Sequence, residues 1–178
     1  MRNGRHASRT AFWASCLVFV LSLVFVAATS DGDVPAHFDG SGVVTRTESP
    51  WSFVATMAGV GLALGVLFAG ARRWIRYIPA QMINLPDPRA HRYWTHPAQR
   101  ATFDHMIAED LEWIGAATIA LLTWMTVVAG TTGSDDGSVS TWVLAAPTVA
   151  YVLGIAGYAV YVIRGGKYRV PEDDRPPS

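Results

Sequence analysis

The run AFWASCLVFVLSLVFVAAT, residues 11–29, decides the class of this protein. It contains no Asp, Glu, Lys, Arg or His. At a helical rise of about 1.5 Å per residue the run covers roughly 28 Å, close to the hydrocarbon core of a bilayer at about 30 Å. Because lipid offers no hydrogen-bond partner to an open backbone, the run is predicted to cross the membrane as an α-helix.

Three more charge-free runs follow, at about residues 51–71, 113–130 and 141–163. The chain has 178 residues, of which 51% are hydrophobic and only 16% charged. Its apolar residues stand in blocks rather than in amphipathic stripes. The composition therefore predicts one all-α integral membrane domain with four transmembrane helices, surrounded by the lipid bilayer. The formal net charge of +0 argues against a nucleic-acid partner.

The basic residues predict the orientation in the membrane. Of the 14 Lys and Arg residues, only Arg46 lies in the segments that follow the first and third runs. Since cytoplasmic loops carry the excess of Lys and Arg, both termini are predicted to be cytoplasmic, with residues 30–50 and 131–140 outside. The predicted organisation is a cytoplasmic N-terminus (1–10), a first helical hairpin with its outer loop (11–71), a cytoplasmic loop (72–112), a second helical hairpin (113–163) and a disordered cytoplasmic tail (164–178).

The first run also has features of a secretory signal peptide. Three arginines precede it, and the small residues of VAATS end it, so that cleavage after Ala28 would leave three spans. However, the run is longer than the roughly 7 to 15 apolar residues of a signal peptide. The sequence therefore favours a retained first span, with cleavage as the alternative.

Small residues recur at four-residue spacing in two of the runs. They are Gly61, Gly65 and Ala69 in the second span and Ala146, Ala150 and Gly154 in the fourth. Small side chains let helix backbones approach closely, which favours helix packing in lipid. We expect these faces to form seams inside a compact bundle, with a dimer interface as the alternative.

The segment at residues 72–112 is the one sizeable polar loop between spans. Its prolines predict irregular structure over residues 79–95, and Pro97 suits the first turn of a new helix. Apolar residues then recur at helical spacing, at Phe103, Ile107, Leu111 and Ile114. They predict a cytoplasmic amphipathic helix over about 97–110, on the membrane surface, that bends or runs into the third span.

Charged residues stand at both ends of this loop. Arg72, Arg73 and Arg76 open it, and the acids Glu109, Asp110 and Glu112 close it. If the loop folds back, these groups can pair. Exposed pairs of this kind are worth roughly 0 to 1 kcal/mol.

The sequence carries no signature of catalysis. The loop histidines His91, His96 and His105 are suitable zinc ligands, but their spacing matches no compact metal motif. Cys16 is the single cysteine, which excludes an internal disulfide. We therefore expect no catalytic residues, no metal, no cofactor and no enzymatic activity.

Two short segments resemble a known family. VPAHFDGSGVV, residues 34–44, resembles the motif P-x-H-[FW]-x-x-x-G, with Pro35, His37, Phe38 and Gly42 at its fixed positions. That motif marks a bacterial membrane domain of unknown function, which also forms the N-terminal part of the sporulation-delay toxin immunity proteins. The loop after the second span is similar to a second family segment, at Asn84, Leu85, Pro86, Tyr93, Trp94, Pro97 and Arg100. The resemblance implies a small multi-span protein of the bacterial plasma membrane without settled catalytic activity.

The pattern of two polar, motif-bearing loops predicts a non-enzymatic accessory, sensory or immunity-type protein. Residues 30–50 would face an extracytoplasmic peptide, and residues 72–112 a cytoplasmic protein. The alternative is a small transporter or channel component for a neutral or apolar solute. It is suggested by Pro147, which should kink the fourth span, and by threonines and tyrosines that could line a path.

Overall fold

A computed structural model describes residues 4–85, 87–132, 137–164 and 167–171. Four long helices alternate in direction, and we name the two ends of the bundle by what lies there. The hairpin end holds the two strands and residues 137–140, and the arginine end holds the short helices, the first turns of α5 and residues 167–171. In chain order the elements are α1 (Gly4–Thr29), β1 (Val34–Phe38), β2 (Val44–Glu48), α2 (Pro50–Ala69), α3 (Ala71–Trp74), 3₁₀ turns at Ile75–Tyr77 and Ala80–Met82, α4 (Pro88–Thr95), α5 (Pro97–Thr131) and α6 (Thr141–Ile163).

The prediction of a helical protein with four apolar spans is confirmed. Helices α1, α2, α5 and α6 are each long and apolar enough to cross a membrane by length and composition. Proline and serine set the start of α2, because Ser49 accepts a hydrogen bond from the backbone N–H of Ser52 and Pro50 occupies the first turn.

The core of the bundle is the long contact between α1 and α5. Phe12, Phe19 and Val26 of α1 are almost fully buried, as is Ile119 of α5. Gly61 of α2 is also buried, and a Cβ atom there would lie 2.1 Å from the Phe19 ring. Loss of α1 by cleavage would strip α5 of its main packing partner, so the packing favours retention of the first span.

Most of these small residues do not form seams inside the bundle, and the alternative of a dimer interface stays a prediction. Gly61 packs as expected, but no atom of the described chain lies within 4 Å of a Cβ placed at Gly65 or Gly154. The alanines of the two stripes, Ala69, Ala146 and Ala150, are exposed. The reason is that α6 contacts α5 through another face, where the hydroxyls of Thr118 and Tyr151 lie 2.9 Å apart.

The segment at residues 30–50, which is predicted to lie outside, forms a two-stranded antiparallel hairpin. Val34 pairs with Glu48, Pro35 with Thr47 and Phe38 with Val44, and the register shifts on both sides of His37. Val34 is buried against Val26 and Phe53. The hairpin therefore lies on the helix ends instead of projecting freely.

The polar loop is more ordered than the sequence predicts. Residues 88–95 form α4, because Pro88 fits the first turn and the Asp87 carboxylate accepts from the Arg89 N–H at 2.8 Å. The amphipathic segment 97–110 is not a separate helix, since α5 runs without a break from Pro97 to Thr131. At about 1.5 Å per residue α5 is roughly 52 Å long, so it extends well beyond a hydrocarbon core of about 30 Å.

The prediction of a disordered tail is wrong for residues 167–170. Tyr168 is only 4% exposed and packs on Trp94 and Phe103. The Lys167 ammonium pairs with the Asp110 carboxylate. Aromatic burial thus fixes a segment that its polar composition marks as disordered, whereas residues 172–178 lie outside the described residues.

Candidate functional site

Gly42 joins the hairpin to the connection between α5 and α6. Its φ of 85° is in the left-handed region that favours glycine. A Cβ atom there would lie 2.0 Å from the Val139 carbonyl oxygen, and the Val139 N–H donates to the Gly42 carbonyl at 3.0 Å. Beside it, the Thr141 hydroxyl donates to the Ser41 carbonyl at 3.1 Å. The motif glycine is therefore required by both backbone conformation and close contact.

Asp39 organises the tip of the same hairpin. Its Oδ1 accepts from the Ser41 N–H at 2.9 Å, from the Ser41 hydroxyl at 2.7 Å and from the Val43 N–H at 3.0 Å. These hydrogen bonds, led by that of the Ser41 hydroxyl, hold the pKa of the exposed Asp39 carboxyl below its ordinary value. Asp39 is therefore ionised at neutral pH.

The other motif residues of the hairpin differ in exposure. Pro35 is fully buried, Phe38 is half-buried and His37 is exposed. The His37 Nδ1 and the Thr45 hydroxyl lie 2.7 Å apart, which orients the ring across the two strands. Pro35 and Gly42 thus set the backbone shape of the hairpin. His37 and Phe38 instead leave part of their side-chain surface accessible to a ligand.

These motif residues line one cleft. It has a volume of about 600 Å³ and lies between the hairpin, α2, α5 and α6. Volumes of roughly 300 to 1,000 Å³ are typical of ligand sites. Its lining comprises Pro35, Ala36, His37, Phe38, Asp39, Gly40, Gly42, Phe53, Met57, Met125, Ala129, Thr141, Leu144, Ala145, Thr148 and Val149. The structure therefore brings Pro35, His37, Phe38 and Gly42 together at a common concave surface, which we call the hairpin cleft.

The hairpin cleft is mostly apolar and reaches into the level of the spans. Along α6 its lining runs from Thr141 to Val149, a depth of roughly 12 Å at about 1.5 Å per residue. Met57 and Met125 contribute flexible side chains that can adapt to different apolar shapes. These wall residues could not be identified from the sequence, because most residues of the spans are equally apolar.

The second set of motif residues lies at the arginine end. The Trp94 indole N–H donates to the Tyr168 carbonyl at 2.9 Å, and Tyr93 stacks edge-on against Trp94 with ring centroids 4.9 Å apart. Pro97 begins α5, with His96 as its N-cap. Together with Ala90, Phe103 and the tail, these aromatic rings form a small core outside the bundle.

Arg100 ties this small core to the end of α3. Its Nη2 donates to the carbonyls of Ile75 at 3.1 Å and Ile78 at 2.9 Å, and its Nε donates to the Asp104 carboxylate at 2.6 Å. The motif arginine therefore caps a helix terminus instead of facing a partner. Asn84 is exposed, and Pro86 lies outside the described residues.

A buried ion pair closes the bundle at the same end. Arg72 Nε donates to Glu112 Oε1 at 2.6 Å and Arg72 Nη2 to Oε2 at 2.9 Å. The Ser8 hydroxyl of α1 donates to Oε2 at 2.7 Å. The predicted pairing is confirmed for Arg72 and Glu112, but the Glu112 side chain is only 6% exposed, so its carboxylate does not lie on the surface as expected. The hydrogen bonds that the Arg72 guanidinium donates to the Glu112 carboxylate raise the pKa of Arg72.

A second polar cluster fastens the tail. The Asp110 carboxylate accepts from both the Lys167 ammonium and the Tyr168 hydroxyl. Burial, together with the adjacent Asp110 carboxylate, raises the pKa of Tyr168 above its ordinary value. Tyr168 therefore stays a neutral hydrogen-bond donor at physiological pH.

Residues considered for other chemistry have ordinary structural partners. A His91 ring nitrogen lies 3.1 Å from the Ala80 carbonyl, and the His96 ring accepts from the Ala98 N–H at 3.3 Å. Within the described ranges, no three His, Cys, Asp or Glu side chains are grouped to hold a metal ion. Thr123 and Thr126 donate to carbonyls four residues earlier in α5.

Comparisons with known proteins add no assignment. No family model, no curated protein and no solved structure matches this chain. The resemblance of the two loop motifs to the bacterial membrane domain therefore stays a prediction.

Proposed function

We propose that this chain is a non-enzymatic accessory or immunity-type protein of a bacterial plasma membrane. It would bind an extracytoplasmic peptide in the hairpin cleft, with both termini in the cytoplasm. The observation that carries the proposal is that all four hairpin motif residues line this one cleft. A concave, mostly apolar surface with a few polar groups at its rim is the usual form of a binding site.

The arginine end supports a second, cytoplasmic role within the same proposal. Its small aromatic core, around Trp94 and Tyr168, joins the loop between spans two and three to the tail after α6. Helix α6 contributes both a wall of the cleft and the attachment of that tail. A cytoplasmic protein partner would bind at this end, and its affinity would depend on the position of α6.

Complementation of a deletion strain tests the proposed function. We expect Phe38→Ala, which removes a cleft wall, and Ala145→Trp, which fills the cleft, to abolish rescue of the deletion phenotype. Leu62→Ala is the control, because Leu62 is 69% exposed on α2 and does not line the cleft. All variants must reach the membrane at wild-type levels. Full rescue by both cleft variants would reject the proposal.

A transporter or channel component is the second candidate, favoured by the depth of the cleft along α6. Solute flux in liposomes that contain the purified chain distinguishes the two functions. Flux that Ala145→Trp blocks would establish transport. Peptide binding without flux supports the accessory function.

A further inference from the structure

The chemistry of the hairpin cleft restricts its occupant. Its deep part is formed mainly by apolar side chains of three helices, including Met57, Met125 and Val149. Its rim is formed by the tip of the hairpin, where His37 and Asp39 stand. A ligand that fills the site needs an apolar part about 12 Å long and a polar part at the level of the hairpin.

The charge at the rim is negative. Among the described residues that line the cleft, none is Lys or Arg, and Asp39 supplies a carboxylate. Only Oδ1 of that carboxylate is used by the turn, through its bonds to Ser41 and Val43. Arg46, the one basic residue between positions 30 and 50, is already paired with Glu48 at 3.1 Å.

Two more exposed carboxylates lie at the hairpin end. Asp31 and Asp33 line a separate, smaller cavity, which shares Ala129 with the cleft. In a cleft with apolar walls, like-signed charges strengthen the local potential and attract ligands of opposite sign. An occupant with a phosphate or carboxylate head would instead meet repulsion at Asp39.

We infer that the occupant is a cationic amphipathic peptide, with apolar side chains between α2 and α6 and a Lys, Arg or terminal ammonium group beside Asp39. The inference rests on the proposed function and specifies its ligand. Complementary charges at the exposed rim give specificity and a faster association, whereas the apolar walls supply most of the affinity. The alternative occupant of such walls is a lipid acyl chain, which the experiment below also detects.

The test uses the full chain in nanodiscs of zwitterionic lipid and two dansyl-labelled peptides. The peptides share one Leu pattern and differ only in carrying Lys or Glu at their polar positions. Binding is measured by energy transfer from protein tryptophans, with empty nanodiscs subtracted. We expect the Lys peptide to bind and the Glu peptide to bind at least about fivefold more weakly.

Asp39→Asn isolates the charge, because the amide oxygen can still accept the hydrogen bonds of the turn. We expect this substitution to weaken binding of the Lys peptide about two- to fivefold. Raising the salt concentration to about 1 M should remove the difference between the variant and the wild type. Asp87→Asn is the matched control, since Asp87 caps α4 at the opposite end through the same kind of bond. It should leave binding unchanged.

Ala145→Trp separates failure of the inference from failure of the proposed function. If it reduces binding of both peptides about tenfold while Asp39→Asn has no effect, the cleft binds peptides without charge selection, and only the inference fails. If Ala145→Trp has no effect, or if neither peptide binds above empty nanodiscs, both are rejected. Displacement of both peptides by an added short-chain phosphatidylcholine, which carries no net charge, would identify a lipid as the occupant and overturn the inference.

Discussion

The ion pair between Arg72 and Glu112 offers the sharpest test of how the bundle is held at the arginine end. The Glu112 side chain is 6% exposed and the Arg72 side chain 32%, and two hydrogen bonds join them at 2.6 and 2.9 Å. Removing one partner of a fully buried pair costs about 3 to 5 kcal/mol, because the other charge stays buried. Arg72 is partly solvated, so we expect Arg72→Met to cost about 2 to 3 kcal/mol.

A double-mutant cycle separates this interaction from simple loss of packing. Glu112→Gln removes the charge and leaves a polar group for Ser8, and we expect it to cost about 1.5 to 3 kcal/mol. The double variant Arg72→Met with Glu112→Gln leaves no buried charge. It should be less destabilised than the sum of the two single variants, with a coupling energy of about 1.5 to 3 kcal/mol.

The assay is SDS-induced unfolding of the purified chain, followed by circular dichroism. Arg46→Met is the control, because the Arg46 side chain is 65% exposed in its pair with Glu48 at 3.1 Å and should contribute less than about 0.5 kcal/mol. A coupling energy below about 0.5 kcal/mol for the Arg72 cycle would show that the pair is solvated, and it would refute the burial argument.

Four further predictions concern the hairpin, the tail and the first span. Gly42→Ala should destabilise the protein by at least about 2 kcal/mol, whereas Gly40→Ala, whose Cβ meets no described atom within 4 Å, should be neutral in the same unfolding assay. Trp94→Phe should cost about 1 to 2 kcal/mol and expose the tail to limited proteolysis, and Trp142→Phe, at a residue 77% exposed, should do neither. Because the folded pKa of Asp39 is lowered, the extra stability that its ionised carboxylate gives the turn should be complete above the ordinary value of 3.8 and should fade as the pH falls through that lower pKa, measured by NMR of its carboxyl carbon. Mass spectrometry of the membrane-inserted protein should find α1 retained, since cleavage would remove one of the two helices that form the main packing contact, α1 with α5.

Part of the candidate site could be predicted from residue types alone. The glycine, proline and aspartate of residues 34–44 indicate a turn, and the structure has a hairpin with Gly42 at positive φ. The cleft itself could not be predicted, because it depends on how far α6 stands from α2. Met57 and Leu144 belong to charge-free runs that are apolar on all sides, so no periodicity distinguishes a wall from a lipid-facing surface.

The wrong expectations for residues 79–95 and for the tail share one physical cause. Prolines and charges favour loops in isolation, so local composition predicts irregular structure at 79–95 and disorder at 164–178. In the folded chain Trp94 and Tyr168, 74 positions apart, bury each other and order both segments. Tertiary burial of aromatic rings outweighs the local preference, because each ring removes a large apolar area from water.

The sequence by itself determined the class of the protein, because in lipid a charge-free run of about 20 residues has only one way to satisfy its backbone. The four spans follow from the local mean hydropathy of the chain, without any knowledge of tertiary contacts. Only the tertiary structure decided which residues meet. Ser8 and Glu112, 104 positions apart, share a hydrogen bond, and the hairpin motif faces a cleft built from three helices. Such contacts depend on helix rotation and spacing, which composition does not encode.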